Sequence, residues 1–237
     1  MTGTFINIGT VLLGTLLGIT VGGRLTESAQ QRVLYGLGMV TLVIGVGLAL
    51  SWSGPHTGRG TPLYVLGGIL VGGLVGEWIG IERRLEQLGR WVQRRLSASE
   101  HSTIAEGFVD ASLLFCVGSL AVVGSIQDGL TGDYQLLATK AMLDGFAALA
   151  FGSALGAGVL ASALTVLVYQ GGLSLAAGAV KAGLSAAMIG EMSATGGVLV
   201  LGLGLGLLEL KAIRVANFLP ALVIAPAVVA AMGAVTS

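Results

Sequence analysis

Apolar residues along this chain gather in long runs separated by short polar stretches, near residues 4–22, 34–52, 62–81, 108–127, 135–155, 158–180, 193–210 and 215–235. Each run is close to the ~20 residues an α-helix needs to cross a bilayer. The pattern predicts an all-α polytopic membrane helix bundle of about eight transmembrane helices, forming a single transmembrane domain over residues 1–237. The first three runs and the last are clean. Between 108 and 190, Lys140, Asp144 and several glycines interrupt the pattern, so seven spans plus a re-entrant segment is the alternative count.

One stretch has a different period. Ile81, Leu85, Leu88, Val92 and Leu96 recur every three or four residues, with arginines filling most of the opposite face. This predicts an amphipathic surface helix over 82–98, lying on the cytoplasmic leaflet with its stripe in the lipid and its arginines toward anionic headgroups. A solvated loop helix is the plainer alternative.

Composition agrees with the pattern. Hydrophobic residues make up 54% of the chain and charged residues 10%, with mean hydropathy +0.91. A soluble domain carries about 25% charge, so this chain cannot coat itself for water. The 40 glycines would weaken helices in water. In a bilayer, where the backbone must bond to itself, they instead allow close helix packing. Gly14, Gly18 and Gly22, then Gly68, Gly72, Gly76 and Gly80, then Gly152 and Gly156 repeat at steps of four, as packing faces or as the trace of an internal repeat. Such faces on the first and third runs exceed the evident needs of one small bundle, so a homo-oligomer is expected.

Charge sets orientation. Arg24, Arg32, Arg83, Arg84, Arg90, Arg94, Arg95, Lys211 and Arg214 fall on one side of the predicted spans, against Arg59 and Lys181 on the other. Basic loops stay in the cytoplasm, so both termini are expected outside. The net charge of zero gives no sign of nucleic acid binding. Cys116 is the lone cysteine, which excludes an internal disulfide. With no secretory or organelle signal in view, the expected location is a bacterial inner membrane, crossed many times.

Polar groups inside the runs carry the functional signal, since a charge near the bilayer centre costs roughly 2.5–3.5 kcal/mol even on the lenient scale. Lys140 and Asp144 stand one helical turn apart on a shared face. They form either an ion or solute site or a closed pair that neutralises itself. Just ahead, SIQDGLTGDY offers Gln127, Asp128 and Asp133 as oxygen donors between the fourth and fifth runs. Hard cations favour such oxygens, and Asp-Gly is equally an ordinary turn. Whether a metal binds is left open.

Asn7, Gln170 and Asn217 add uncharged groups, each suited to an interhelical hydrogen bond. Glu106 and Asp110 suit a helix N-terminus or a pathway mouth, and Glu77 and Glu209 suit snorkelling to the interface. Glu191, Ser193 and Thr195 read as a cap ahead of the seventh run, whose GLGLGL stretch suggests local unwinding. No phosphate-binding loop, zinc spacing or nucleophile elbow occurs, so neither an enzyme nor a cofactor is expected.

The run LFCVGSLAVVGSIQDGLTGDYQLLATKAMLDGFAALAFGSALG from Leu114, with the later VANFLPALVIAP and the opening FINIGTVLLGTLLG, resembles a family of small bacterial inner-membrane proteins, domain of unknown function 554. The resemblance implies a polytopic membrane protein over nearly the whole chain and carries no site residues. The leading expectation is a secondary transporter or channel-like carrier for a small ion or polar solute. Its site is expected at Asp144, Lys140, Asp128, Gln127, Asp133, Asn217 and Asn7. The alternative is a non-transporting membrane scaffold or partner subunit. A carrier needs a hydrated cavity reaching Asp144, whereas a scaffold needs Lys140 and Asp144 paired and sealed.

Overall fold

A computed structural model describes residues 1–24, 26–50, 61–84, 87, 103–116, 119–211 and 213–236. Its helices are α1 (Thr2–Gly22), α2 (Glu27–Ala49), α3 (Thr61–Ile79), α4 (Ile104–Cys116), α5 (Ser119–Thr131), α6 (Gln135–Leu155), α7 (Gly158–Leu175), α8 (Ala177–Gly183), α9 (Ala186–Leu207) and α10 (Ala221–Thr236), with a 3-10 turn at Val215–Phe218 before α10. No strand occurs among the described residues. The predicted surface helix over 82–98 is helical as far as residue 84, and most of it lies outside the described residues. Gly80, at φ +71°, separates that start from α3.

Helix α1 shows why the bundle holds. Its inward face is Gly3, Thr4, Asn7, Val11, Gly14, Thr15, Gly18 and Gly22, while Phe5, Leu13, Leu16 and Leu17 point outward and are more than half exposed. Small and polar groups turn inward and large apolar ones turn toward lipid, the reverse of a soluble helix. α1 lies along α6 so closely that a methyl group on Gly14, Gly18 or Gly22 would sit 2.3, 2.2 and 2.3 Å from the backbone oxygens of Gly145, Leu149 and Ser153. α2 meets α9 in the same way, at Gly197 against Ala49, and α3 meets α10, at Gly72 against Ala221. Gly14, Gly18, Gly22, Gly68, Gly72 and Gly76, on the faces that suggested a second copy, are thus covered by the chain's own helices.

These seams also fix direction. Along α1, Gly14, Gly18 and Gly22 meet successively later residues of α6, so the two helices run parallel. Gly68 meets Ala225 whereas Gly76 meets Asn217, so α3 and α10 run antiparallel. Among the described residues, seven helical segments are long and apolar enough to cross a bilayer by themselves. α4 and α5 form a bent pair, turned by 64°. Thr103, just before α4, donates to the Leu155 carbonyl at the end of α6, 2.8 Å away. At the other end of the pair, Asp128 on α5 accepts from the Gly3 amide at the start of α1, at 3.0 Å. Since α1 and α6 are parallel, those two anchors lie at opposite ends of the bundle. α4 and α5 together therefore make one broken crossing, which brings the spans among the described residues to eight.

Four local expectations change. The sixth run ends at Leu175, with α8 separate. The seventh starts at Ala186, because Ser185 accepts from the Met188 amide at 3.2 Å and is the true cap. Glu191, Ser193 and Thr195 are consequently buried inside α9 rather than capping it, and the GLGLGL stretch stays helical through Leu207. The stretch from Ser125 to Thr131 is likewise helix rather than loop, ended by Gly132 at φ +73°.

Candidate functional site

The bundle brings four polar side chains from three helices together in its interior. Lys140 and Asp144, on α6, form an ion pair across one turn and are 5% and 7% exposed. Asn7 of α1 donates its amide to Asp144 Oδ2 at 2.9 Å and to Gln170 Oε1 of α7 at 3.1 Å. Asn7 and Gln170 are fully buried. Asp144 lies nine residues into α6, ~14 Å along its axis at 1.5 Å per residue, and is therefore deep in any bilayer the helix spans. Cys116, where the α4–α5 crossing breaks, is close enough to interact electrostatically with both Lys140 and Asp144. The Asn7 Oδ1 and Gln170 Nε2 atoms have no hydrogen-bond partner among the described residues. A buried amide group left in that state is costly, by about 1–3 kcal/mol.

The acidic residues of the α5–α6 junction do not join this cluster. Asp128 is committed to α1, accepting from the Gly3 amide and from the Met1 amino group, each at 3.0 Å. It acts as an N-cap supplied from another helix, satisfying backbone donors that α1 would otherwise bury bare. Gln127 donates to Asp133 Oδ2 at 2.6 Å, and Asp133 Oδ1 accepts from the Gln135 amide at 3.1 Å, capping α6. These residues organise helix starts. Among the described residues, no group of three or more Asp, Glu, His or Cys side chains is placed to hold a metal ion.

Asn217 lies elsewhere again, at the end of the bundle that carries Arg83, Arg84 and Arg214, here called the basic end. Its Oδ1 accepts from the Glu82 amide at 2.8 Å and its Nδ2 donates to Glu77 Oε2 at 2.5 Å. Glu82 in turn accepts from the Ala216 amide at 3.1 Å, and Arg214 stands 3.7 Å from Glu77. This network clamps the 3-10 turn ahead of α10 to the end of α3. The turn at Val215–Phe218 and Pro220 displace Asn217 from the α10 axis, which is why sequence order alone places it wrongly with Asp144.

A cavity of about 420 Å³ opens at the same end, between α4 and α9. Glu82, Glu106, Asp110 and Glu209 supply its carboxylates, and Gly202 and Gly206 supply a smooth wall. Asp110 and Cys116 are six residues apart on α4, ~9 Å along the helix. The cavity thus enters the bundle from the basic end along α4. Its lining does not include Lys140 or Asp144.

Of the seven residues expected at one site, the structure gathers Asn7, Lys140 and Asp144, adds Gln170, and sends Gln127, Asp128, Asp133 and Asn217 to helix ends. Sequence reasoning missed Thr4, Ser125 and Ser174, which are buried with unpaired hydroxyls. The available signal was spacing. Thr4 stands three before Asn7, Ser125 three before Asp128, and Ser174 four after Gln170, each on the same helix face as its neighbour.

With the geometry in hand, comparison with known proteins identifies the family. The family described as "Protein of unknown function (DUF554)" matches residues 2–230. The chain is 31% identical over 229 residues to "Uncharacterized membrane protein YdfK" of Bacillus subtilis (strain 168), covering 97% of this chain and 96% of that protein. It is 31% identical over 227 residues to "Uncharacterized protein YqgA" of Escherichia coli (strain K12), covering 94% of each. No solved structure matches. The chain belongs to the DUF554 family.

Proposed function

For this member of the family, we propose a transport protein of the bacterial inner membrane that moves a small cation or protonated solute, with Lys140 and Asp144 as its central gate. The observation that carries this reading is the charged pair held deep in the bundle by Asn7, which is itself bonded to Gln170, in a bundle that contains the broken α4–α5 crossing. Ionisable groups at such depth are rare and mark pathways, and interrupted helices at membrane depth are where carriers bind their ions. The acidic cavity supports a cationic substrate, since four carboxylates in one recess attract positive charge and repel anions. By the basic-loop rule that cavity faces the cytoplasm. Closure of the pair then corresponds to the occluded end of an inward-facing path.

The second reading, a membrane scaffold, is favoured by one observation: Lys140 and Asp144 are bonded to each other and nearly sealed from solvent. Charge movement separates the two. The protein is reconstituted in liposomes and adsorbed on a supported membrane, and Na⁺, K⁺, H⁺ and methylammonium jumps are applied in turn. A carrier gives a current with at least one of these, and Asp144→Asn abolishes it. A current of undiminished size in Asp144→Asn removes the central role from this carboxylate. Silence of the native protein to the whole panel favours the scaffold.

A further inference from the structure

Toward Asp128 from the central pair, α1, α5 and α7 carry buried polar atoms that the cation-carrier reading does not use. Thr4 Oγ1, Ser125 Oγ and Ser174 Oγ are 0%, 0% and 5% exposed as residues, and none has a hydrogen-bond partner among the described residues. Asn7 Oδ1 and Gln170 Nε2, one turn deeper on α1 and α7, are in the same condition. The three helices do converge there. Asp128 bonds the amide of Gly3, next to Thr4, and a methyl group on Gly129 would lie 2.2 Å from the Ser174 carbonyl oxygen.

Five orphaned polar atoms in one protein interior are too many to stand bare. Each unmade bond costs about 1–3 kcal/mol, and buried polar groups in folded proteins are nearly always partnered by protein or by ordered water. Water is the partner that fits hydroxyls in a row, since each molecule both donates and accepts and typically makes about three bonds. The row also has two defined ends, with Asp128 at the end of the bundle opposite the basic end and Asp144 in the middle.

We infer that this layer is a hydrated path by which protons reach Asp144 from the end of the bundle opposite the acidic cavity. The inference rests on the transport reading above and names its ion. A metal cation suits this path poorly. It would have to shed its water among single hydroxyls and then approach Asp144 against the positive charge of Lys140. A proton needs only hydrogen-bond rearrangement.

The step balances. Hydronium gives its proton to the Asp144 carboxylate and leaves as water, which breaks the ion pair. Lys140, no longer neutralised, releases one proton to water that must enter from the cavity side, since the cavity's own lining stops short of Lys140. The Asp144 proton then passes to the Lys140 amine and the pair reforms, with one proton carried across. Cys116 is the other titratable group close to the pair. Asn7 donates to Asp144 from α1 and is itself held by Gln170 of α7, and neither amide titrates.

The test uses Ser125→Cys and Ser174→Cys, each in a full-length Cys116→Ala chain, in sealed membrane vesicles of both orientations. Ag⁺ is the probe because it travels in water and binds thiolates. Protection is read by maleimide labelling after denaturation. Leu164→Cys, on the lipid-facing side of α7, is the dry control. The expected result is loss of maleimide labelling at positions 125 and 174 when Ag⁺ is applied at the end away from the basic loops, with labelling at 164 retained. Full labelling at 125 and 174 from both sides overturns the hydrated path. Should one variant fail to fold, Thr4→Cys reports the same layer from α1.

A second arm reads proton uptake with a pH dye trapped in liposomes of the native protein. Silver access without proton uptake leaves the path hydrated and sinks the transport reading. Uptake without silver access sinks the path alone. A current that follows Na⁺ at constant pH, in place of H⁺, overturns the choice of ion.

Discussion

Removing one charge of the central pair should destabilise the protein more than removing both. In Asp144→Leu the Lys140 ammonium is stranded, because among the described residues Asp144 is its ion-pair partner and Lys140 is only 5% exposed. Stranding a buried charge in this way costs about 3–5 kcal/mol. Lys140→Met strands the carboxylate instead, but Asn7 still donates to Asp144 Oδ2 at 2.9 Å, so its cost should fall near 3 kcal/mol, at the low end of that range. The double variant carries no buried charge. It forfeits the bond from Asn7, which keeps its second bond to Gln170 Oε1 at 3.1 Å, and one lost bond of this kind costs about 1–3 kcal/mol. The two single costs therefore sum to about 6–8 kcal/mol while the double variant loses about 1–3, a coupling of roughly 3–7 kcal/mol. Reversible unfolding of the three variants and the native chain in mixed micelles measures the cycle. Additive costs would refute the reasoning, because they would mean each charge is solvated on its own and the pair is not sealed.

The remaining expectations concern how the site is held. Gly18→Val should separate α1 from α6, since its Cβ would stand 2.2 Å from the Leu149 oxygen, whereas Gly9→Val meets nothing within 4 Å. Melting of the two in detergent should differ by several degrees, consistent with overpacking costs of about 1–3 kcal/mol. Asp128→Ala should release the start of α1, lowering stability by about 1–2 kcal/mol as for other lost caps. Amide exchange should then quicken at Gly3 and Thr4 and stay unchanged at Gly14. Asn217→Leu should free the turn ahead of α10 from α3 by removing the bonds to Glu77 and the Glu82 amide, read as faster proteolysis near Arg214 with α1–α6 packing intact. A disulfide between Ser112→Cys on α4 and Thr165→Cys on α7, two helices that pack together and whose native oxygens are 3.0 Å apart here, should form readily on mild oxidation.

Membrane crossing was legible in the chain because it depends on the length of apolar runs, a local property that needs no partner. The same holds for the Lys140–Asp144 pair, which one helical turn brings together whatever surrounds it. The rest depended on which helix faces which. Asn7 and Asp144 are 137 residues apart, and Asn7 and Gln170 are 163 apart. They meet because glycines let α1 lie against α6 and α7. The broken crossing of α4 and α5 was decided by its anchors at Leu155 and Gly3, which no hydropathy window contains. Glycine spacing announced close packing but not its partner, since a smooth helix face fits any other of matching shape. Asp128 and Asn217 lie apart from Asp144 for the same reason. A carboxylate or amide in an apolar chain must find a partner, and only the tertiary structure shows whether that partner is a substrate path or a helix end.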